Sequence, residues 1–365
     1  MLFYDLVVAA AFGLTTEFYS DEPTWGVMGF ILVCNLFLYL LWILTSLELL
    51  SNSGRNAMQK LFGLLQIISL SLMSISLSWD SALTGIWGLL GVGIAVLSLV
   101  GLILSDRNVA YSQRIIPWLV VAAIIFFTGS ALSALGVFTD ESAATGFFIA
   151  GVAVMLAGSA QVISQRISED STLKIHEFQE RFGMLLLIVL GEAFIFLVNT
   201  LGAIGSIPQP LFFVLVIVVV FSIWLMYFPK LAQFARPESV RHSAARFAAH
   251  FVLVVCSANA VAAFASQTIL TPIPGVTGWS SDNWTALPLV ALLLALIWLH
   301  YLDELRWTKI QTVHLIAAAI ILILSIAGAD DNYDFGSGTL TLSALVFLGD
   351  ALVSHLFERK KPIPV

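Results

Sequence analysis

The acid that most invites a chemical role is Glu192, within HEFQERFGMLLLIVLGEAFIFLVNTLG at residues 176–202. A charged turn opens this stretch, and about twenty mostly apolar residues follow, enough to span a bilayer. Glu192 lies eleven residues past Arg181. That is roughly 16 Å along a helix, close to the middle of a hydrocarbon core about 30 Å thick. At about 100° per residue, Glu177, Arg181, Glu192 and Asn199 fall within roughly 60° of one another on the helical wheel. One helix is therefore expected to carry a narrow polar stripe through the membrane. A carboxylate at that depth is costly in lipid and marks a functional site by default. Glu192 is expected to face the protein interior, near the first span and a helix carrying Asp5, His250 or Asp350. There it could take up and release a proton or a cation. Arg181 is about three turns away on the same face, beyond direct reach.

The other polar residues of the apolar segments read as follows. Asp350 lies within the last segment, four residues before Ser354, and is the second intramembrane acid after Glu192. Asp5 sits in the first turns of the first segment, where an acid near a helix N-terminus is mildly favourable. Glu17 and Glu48 lie near segment ends, where a side chain can reach water. Gln66, Asn199, His250 and Asn259 suit hydrogen bonds to neighbouring helices. The six histidines form no HxxxH or HExxH pair, so no metal site is expected. The run Gly88-Leu-Leu-Gly91-Val-Gly93 has no preceding strand, which argues against a nucleotide loop and for close helix packing. No catalytic constellation, cofactor motif or nucleic-acid-binding pattern is present, so an enzyme is not expected. Cys34 and Cys256 both lie in apolar segments and read as small hydrophobes.

These residues sit in an unusually apolar chain. Of 365 residues 59% are hydrophobic and 11% charged, against about 25% charged in a soluble globular protein. The chain reads as an all-α, polytopic integral membrane protein. Twelve apolar segments fall at about 2–19, 25–50, 58–78, 83–105, 115–136, 143–165, 178–202, 210–229, 245–267, 285–302, 309–328 and 338–357. The start shows neither a basic n-region nor a cleavage pattern, so no signal peptide is expected.

The loops give an independent register. With twelve spans, all 16 Lys and Arg residues fall on one side, from Arg55 and Lys60 after the second span to Arg359, Lys360 and Lys361 at the end. The opposite loops carry none, and Asp21-Glu22, Asp140-Glu141 and Asp330-Asp331 are acidic. The positive-inside rule places both termini in the cytoplasm. A weak internal repeat runs through the same plan. LFYDLVVAAAFGLTTEF lies on RFGMLLLIVLGEAFIFL at an offset of 179, and LLWILTSLELL on SIWLMYFPKLA places Trp42 on Trp224. Two parallel six-helix repeats, residues 1–168 and 169–365, are expected, related by an axis along the membrane normal.

Two stretches, LFYDLVVAAA at 2–11 and ERFGMLLLIVLGEAFI at 180–195, resemble motifs of the bacterial low temperature requirement A family. Phe3, Asp5, Glu180, Arg181, Phe182, Gly183, Gly191 and Glu192 match on motif positions. Met1 stands where the family's leading Glu would be, which leaves any pairing by such a Glu without a counterpart. The resemblance implies a multi-spanning bacterial inner-membrane protein, linked by name to growth in the cold. Span number, repeat and mid-membrane acid together suggest a secondary transporter or ion-coupled carrier. Its expected partners are the lipid bilayer and a small-molecule or ion substrate. The alternative is a non-transporting scaffold for stress adaptation, or an intramembrane enzyme. The candidate functional residues are Asp5, Glu177, Glu180, Arg181, Glu192, Asn199, His250 and Asp350.

Overall fold

The structure, a computed structural model, describes residues 2–21, 25–51, 57–77, 83–105, 109–137, 141–169, 175–204, 210–231, 240–269, 281–304, 307–328 and 336–359. They form twelve helices: α1 (Leu2–Asp21), α2 (Trp25–Ser51), α3 (Ala57–Leu77), α4 (Leu83–Leu104), α5 (Val109–Ala134), α6 (Glu141–Glu169), α7 (Ile175–Ile204), α8 (Pro210–Leu231), α9 (Val240–Ile269), α10 (Ser281–Glu304), α11 (Lys309–Gly328) and α12 (Gly336–Arg359). There is no strand among the described residues. Each helix follows one apolar segment. Several run on past it: α5 begins at Val109 and α9 at Val240, because backbone hydrogen bonding continues through polar residues beyond the hydrocarbon depth. The C-terminus of α5 closes in a Schellman turn. Gly136 takes φ of 67°, and Val137 N–H and Gly136 N–H donate to the carbonyls of Leu132 and Ser133.

The helices expose apolar faces and turn the polar side chains of their membrane-deep turns inward. On α3, Leu61, Leu64, Ile68 and Ile75 are exposed while Gln66 and Ser69 are buried. On α12, Leu342, Leu345, Leu352 and Leu356 are exposed while Asp350 and Ser354 are buried. Such faces suit lipid outside and hydrogen-bonding partners inside. Among the described residues, seven helices carry stretches long and apolar enough to cross a membrane: Met28–Leu49, Ala57–Ser76, Gly85–Leu104, Gln113–Ala134, Ser142–Ala160, Ala244–Val261 and Lys309–Ile326. Four more carry shorter apolar stretches, Phe3–Thr15, Val214–Phe228, Ala286–Leu302 and Thr341–Phe357. The chain is a polytopic helical membrane protein.

Two compact units divide the chain: Met1–Phe178 with Pro237–Ala244, and Gln179–Arg236 with Ala245–Val365. In the first, α1 packs on α2 and α3, the helices α3 to α6 pack in chain order, α2 also meets α4 and α6, and α4 meets α6. Its core is aromatic. Phe37, Phe126 and Phe148 hold ring centroids 6.0–6.1 Å apart. In the second, α10, α11 and α12 pack in chain order, α10 meets α12, and α8 packs on α12.

Candidate functional site

In the first unit the polar core begins with Asp5. It is buried and accepts a hydrogen bond of 2.8 Å from the Trp42 indole N–H of α2. The indole ring is itself fully buried. One residue earlier, the Tyr4 hydroxyl donates to Thr45 Oγ1 at 3.3 Å, and Gln66 Nε2 of α3 donates to the same oxygen at 3.1 Å. Side chains of α1, α2 and α3 therefore converge on one threonine. Farther along α1, Thr15 Oγ1 and Asn35 Oδ1 lie 2.8 Å apart. Glu48, expected from its place near a segment end to reach water, is instead buried. Its position on α2 turns it into the bundle.

Two polar groups stand out among the described residues of the second unit. The first joins α7, α8 and α9. Phe182 stacks on the His250 ring with centroids 4.5 Å apart and planes inclined by 19°. The Tyr227 hydroxyl lies 3.2 Å from His250 Nδ1. Either atom can donate, according to the histidine tautomer. Arg181, beside Phe182, and Arg246, one turn before His250, are both buried.

The second polar group joins α10, α11 and α12. His314 Nδ1 lies 2.6 Å from Asp350 Oδ2, and both residues are buried. The His300 ring lies 5.2 Å from that of His314, centroid to centroid. His300 Nδ1 is 2.9 Å from the Leu296 carbonyl. A carbonyl only accepts, so Nδ1 of His300 carries its hydrogen. Gln311 Nε2 ties α11 to the Ile297 carbonyl of α10 at 3.3 Å. This group offers the chemistry of hydrogen-bonded, titratable side chains inside an apolar bundle. Among the described residues, no three or more His, Cys, Asp or Glu side chains converge as a metal site.

A polytopic helical bundle with buried polar groups is common to many families, so the sequence must decide which this is. The sequence model of the bacterial low temperature requirement A protein family matches residues 2–346. The chain belongs to that family. A comparison with curated proteins gave no significant match.

Within this chain, the motif residues do not share one environment. Asp5, Arg181 and Phe182 are buried, whereas Phe3 is 63% exposed. Glu180 is exposed, Glu192 is half-buried and Asn199 is exposed. The polar stripe of α7 thus loses burial from Arg181 towards Asn199. Glu177 lies in α7, but its side chain falls outside the described residues, as does that of Glu17. The structure joins Asp5 to Trp42, His250 to Tyr227 and Phe182, and Asp350 to His314. Glu192 makes no hydrogen bond or ion pair among the described residues.

The sequence reading missed Trp42, Tyr227, His300 and His314. One signal could have found two of them. His314 lies fourteen residues before the end of α11 (314 to 328), and Asp350 fourteen after the start of α12 (336 to 350). Asp5 and Trp42 lie sixteen and seventeen residues from the facing ends of α1 and α2 (5 to 21, 25 to 42). In a helical hairpin, equal distances from the connection mean equal depth. Matched polar positions are then candidates for contact.

Proposed function

We propose that this protein is a secondary transporter or ion-coupled carrier of the bacterial inner membrane, rather than an enzyme. Both termini are cytoplasmic in this reading, from the placement of the basic loops. Residues 1–168 and 169–365 act as parallel repeats. The observation that carries the reading is the order of helix packing. Contacts of α2 with α6, α4 with α5, α5 with α6 and α4 with α6 recur six helices later as α8 with α12, α10 with α11, α11 with α12 and α10 with α12. The polar clusters follow the same offset. Tyr4, Thr45 and Gln66 meet where α1, α2 and α3 meet, and Phe182, Tyr227 and His250 meet where α7, α8 and α9 meet. Parallel repeats with buried polar groups are a transporter plan.

In this mechanism Glu192 binds and releases a proton or cation during the transport cycle. Its partners are the bilayer and a small-molecule or ion substrate. The test is solid-supported-membrane electrophysiology on the full chain in proteoliposomes, with panels of amino acids, organic acids and monovalent cations. A coupled current for one class, lost in a well-folded Glu192→Gln variant, is expected. Current unchanged in that variant would remove Glu192 from the mechanism. No current with any class would favour the scaffold of stress adaptation.

A further inference from the structure

We propose that α11 and α12 hold an intramembrane proton-binding site, with the His314–Asp350 pair as acceptor and Ser354 and His355 as the approach from the C-terminal end of α12. The proposal stands apart from transport: a proton can be counted on a protein that carries nothing. It also lies outside the family motifs, since Asp350 is beyond the matched residues 2–346.

The separation of 2.6 Å between His314 Nδ1 and Asp350 Oδ2 fits a hydrogen between nitrogen and oxygen. It does not fit a bridging metal ion. Ligand bonds of about 2.0–2.2 Å hold the ligand atoms of one metal roughly 3 Å or more apart. In the unloaded state Nδ1–H donates to the Asp350 carboxylate, and the pair carries one negative charge. The opposite ring nitrogen, Nε2, then presents a lone pair. Both Nε2 of His314 and Oδ1 of Asp350 are buried and have no protein hydrogen-bond partner among the described residues. A proton delivered from water lands on Nε2. The hydronium becomes water, the ring becomes imidazolium, and the pair becomes neutral overall. Loading thus removes a net charge from an apolar interior, where a bare charge is costly.

The approach is drawn by α12 itself. Ser354 is four residues past Asp350 and so on the same face, about one turn nearer the chain end. Its Oγ is buried without a partner among the described residues, as is Nδ1 of His355. The His355 ring is only half-buried, so it can exchange protons outward. The other described titratable side chains on the helices packed here are Tyr227 of α8, His300, Tyr301 and Glu304 of α10, and Lys309 of α11. Tyr227 is engaged with His250, and Tyr301 and Lys309 are exposed. His300, beside His314, is the neighbour able to share the charge.

The experiment is a proton count on the full chain in proteoliposomes after a pH jump, with nitrogen NMR of the histidine rings. Val313-His314 is the only Val-His pair in the sequence, so dipeptide labelling assigns His314 without a variant. The Nε2 signal of His314 is expected to switch between lone-pair and protonated forms when the proton is taken up. Asp350→Asn, His314→Gln and the double variant should each lose the same single proton, because the pair shares it. Ser354→Ala and His355→Gln should slow the exchange several-fold and leave the count unchanged. Losses that add in the double variant, or an unchanged count in folded single variants, would overturn the proposal. So would a His314 ring that stays in one form before and after the pH jump, a result that needs no variant to fold.

Discussion

Asp5 and Asp350 are both buried acids on membrane helices, and each meets a ring nitrogen of a helix next to it in sequence. The difference lies in the partner. Trp42 offers an indole N–H, which donates and never exchanges its role. His314 offers an imidazole, which can gain or lose a proton while keeping its bond to the carboxylate. The first pair fixes α1 to α2 in one state. The second can exist in two states of charge. A buried acid is therefore not functional by depth alone; what it touches decides whether it is a latch or a switch.

The strongest way to break this contrast is to remove the rings. Trp42→Ala deletes a fully buried indole and the donor to Asp5. It should cost about 3–5 kcal/mol of stability, as large-to-small core changes do. His314→Gln keeps a polar group of similar reach and should cost about 1–3 kcal/mol, the scale of a lost hydrogen bond to a charged group. Thermal and denaturant unfolding of both variants in detergent would measure the difference. Equal losses would mean that the His314 pair is as structural as the Trp42 pair.

Glycine packing sharpens the same contrast between units. A Cβ at Gly151 would overlap the ring of Phe126, which is fully buried and held by Phe37 and Phe148. Gly151→Ala should therefore cost about 1–3 kcal/mol through overpacking. Beside Asp350, a Cβ at Gly349 would meet nothing within 4 Å. Gly349→Ala should stabilise α12 by up to about 1 kcal/mol, the helix-propensity difference. Melting temperatures moving in opposite directions are the expected readout; the same sign in both would show that the space beside Asp350 is needed.

The architecture was largely legible before the structure. Apolar runs separated by polar, Gly- and Pro-containing connections locate twelve helices, because lipid permits few other solutions for the backbone. Partners were less legible. A helical wheel gives angles around an axis but not which angle points inward. Hence Arg181 and Asn199, on one stripe, end buried and exposed. Glu192 stood out by its depth, yet it is half-buried. Asp350 was found by depth as well, but His314 was weighed only as a metal ligand. The hairpin register that pairs them was present in the spacing. Tyr227 is different: nothing in a phenol near the end of an apolar run distinguishes an interfacial anchor from the partner of a buried histidine.

Charge removal without loss of shape is a finer test. In Asp5→Asn the amide oxygen still accepts from Trp42, and stability should fall by no more than about 1–2 kcal/mol. Its proton count should stay at the wild-type value. Asp350→Asn likewise keeps an acceptor for His314 but withdraws the charge that stabilises an imidazolium. A proton count that fell with Asp5→Asn would erase the distinction between latch and switch.

The two three-helix clusters test whether the halves are built alike. Thr45→Val removes the oxygen on which Tyr4 and Gln66 converge while nearly preserving volume. Two partners then lose a bond, and Gln66, fully buried, is too polar to be left without one cheaply. A cost of about 1–3 kcal/mol is expected. Tyr227→Phe removes one hydroxyl from His250. The Phe182 stack survives, and so does the edge contact of ring 227 with the imidazole. The expected cost is smaller, about 0.5–1.5 kcal/mol. Unfolding of both single variants and the double variant measures the coupling. Additive losses are expected, because each cluster lies within its own compact unit. Non-additivity beyond about 0.5 kcal/mol would show that the units exchange stress through their cores. The latch of one unit and the switch of the other could then no longer be treated as separate devices.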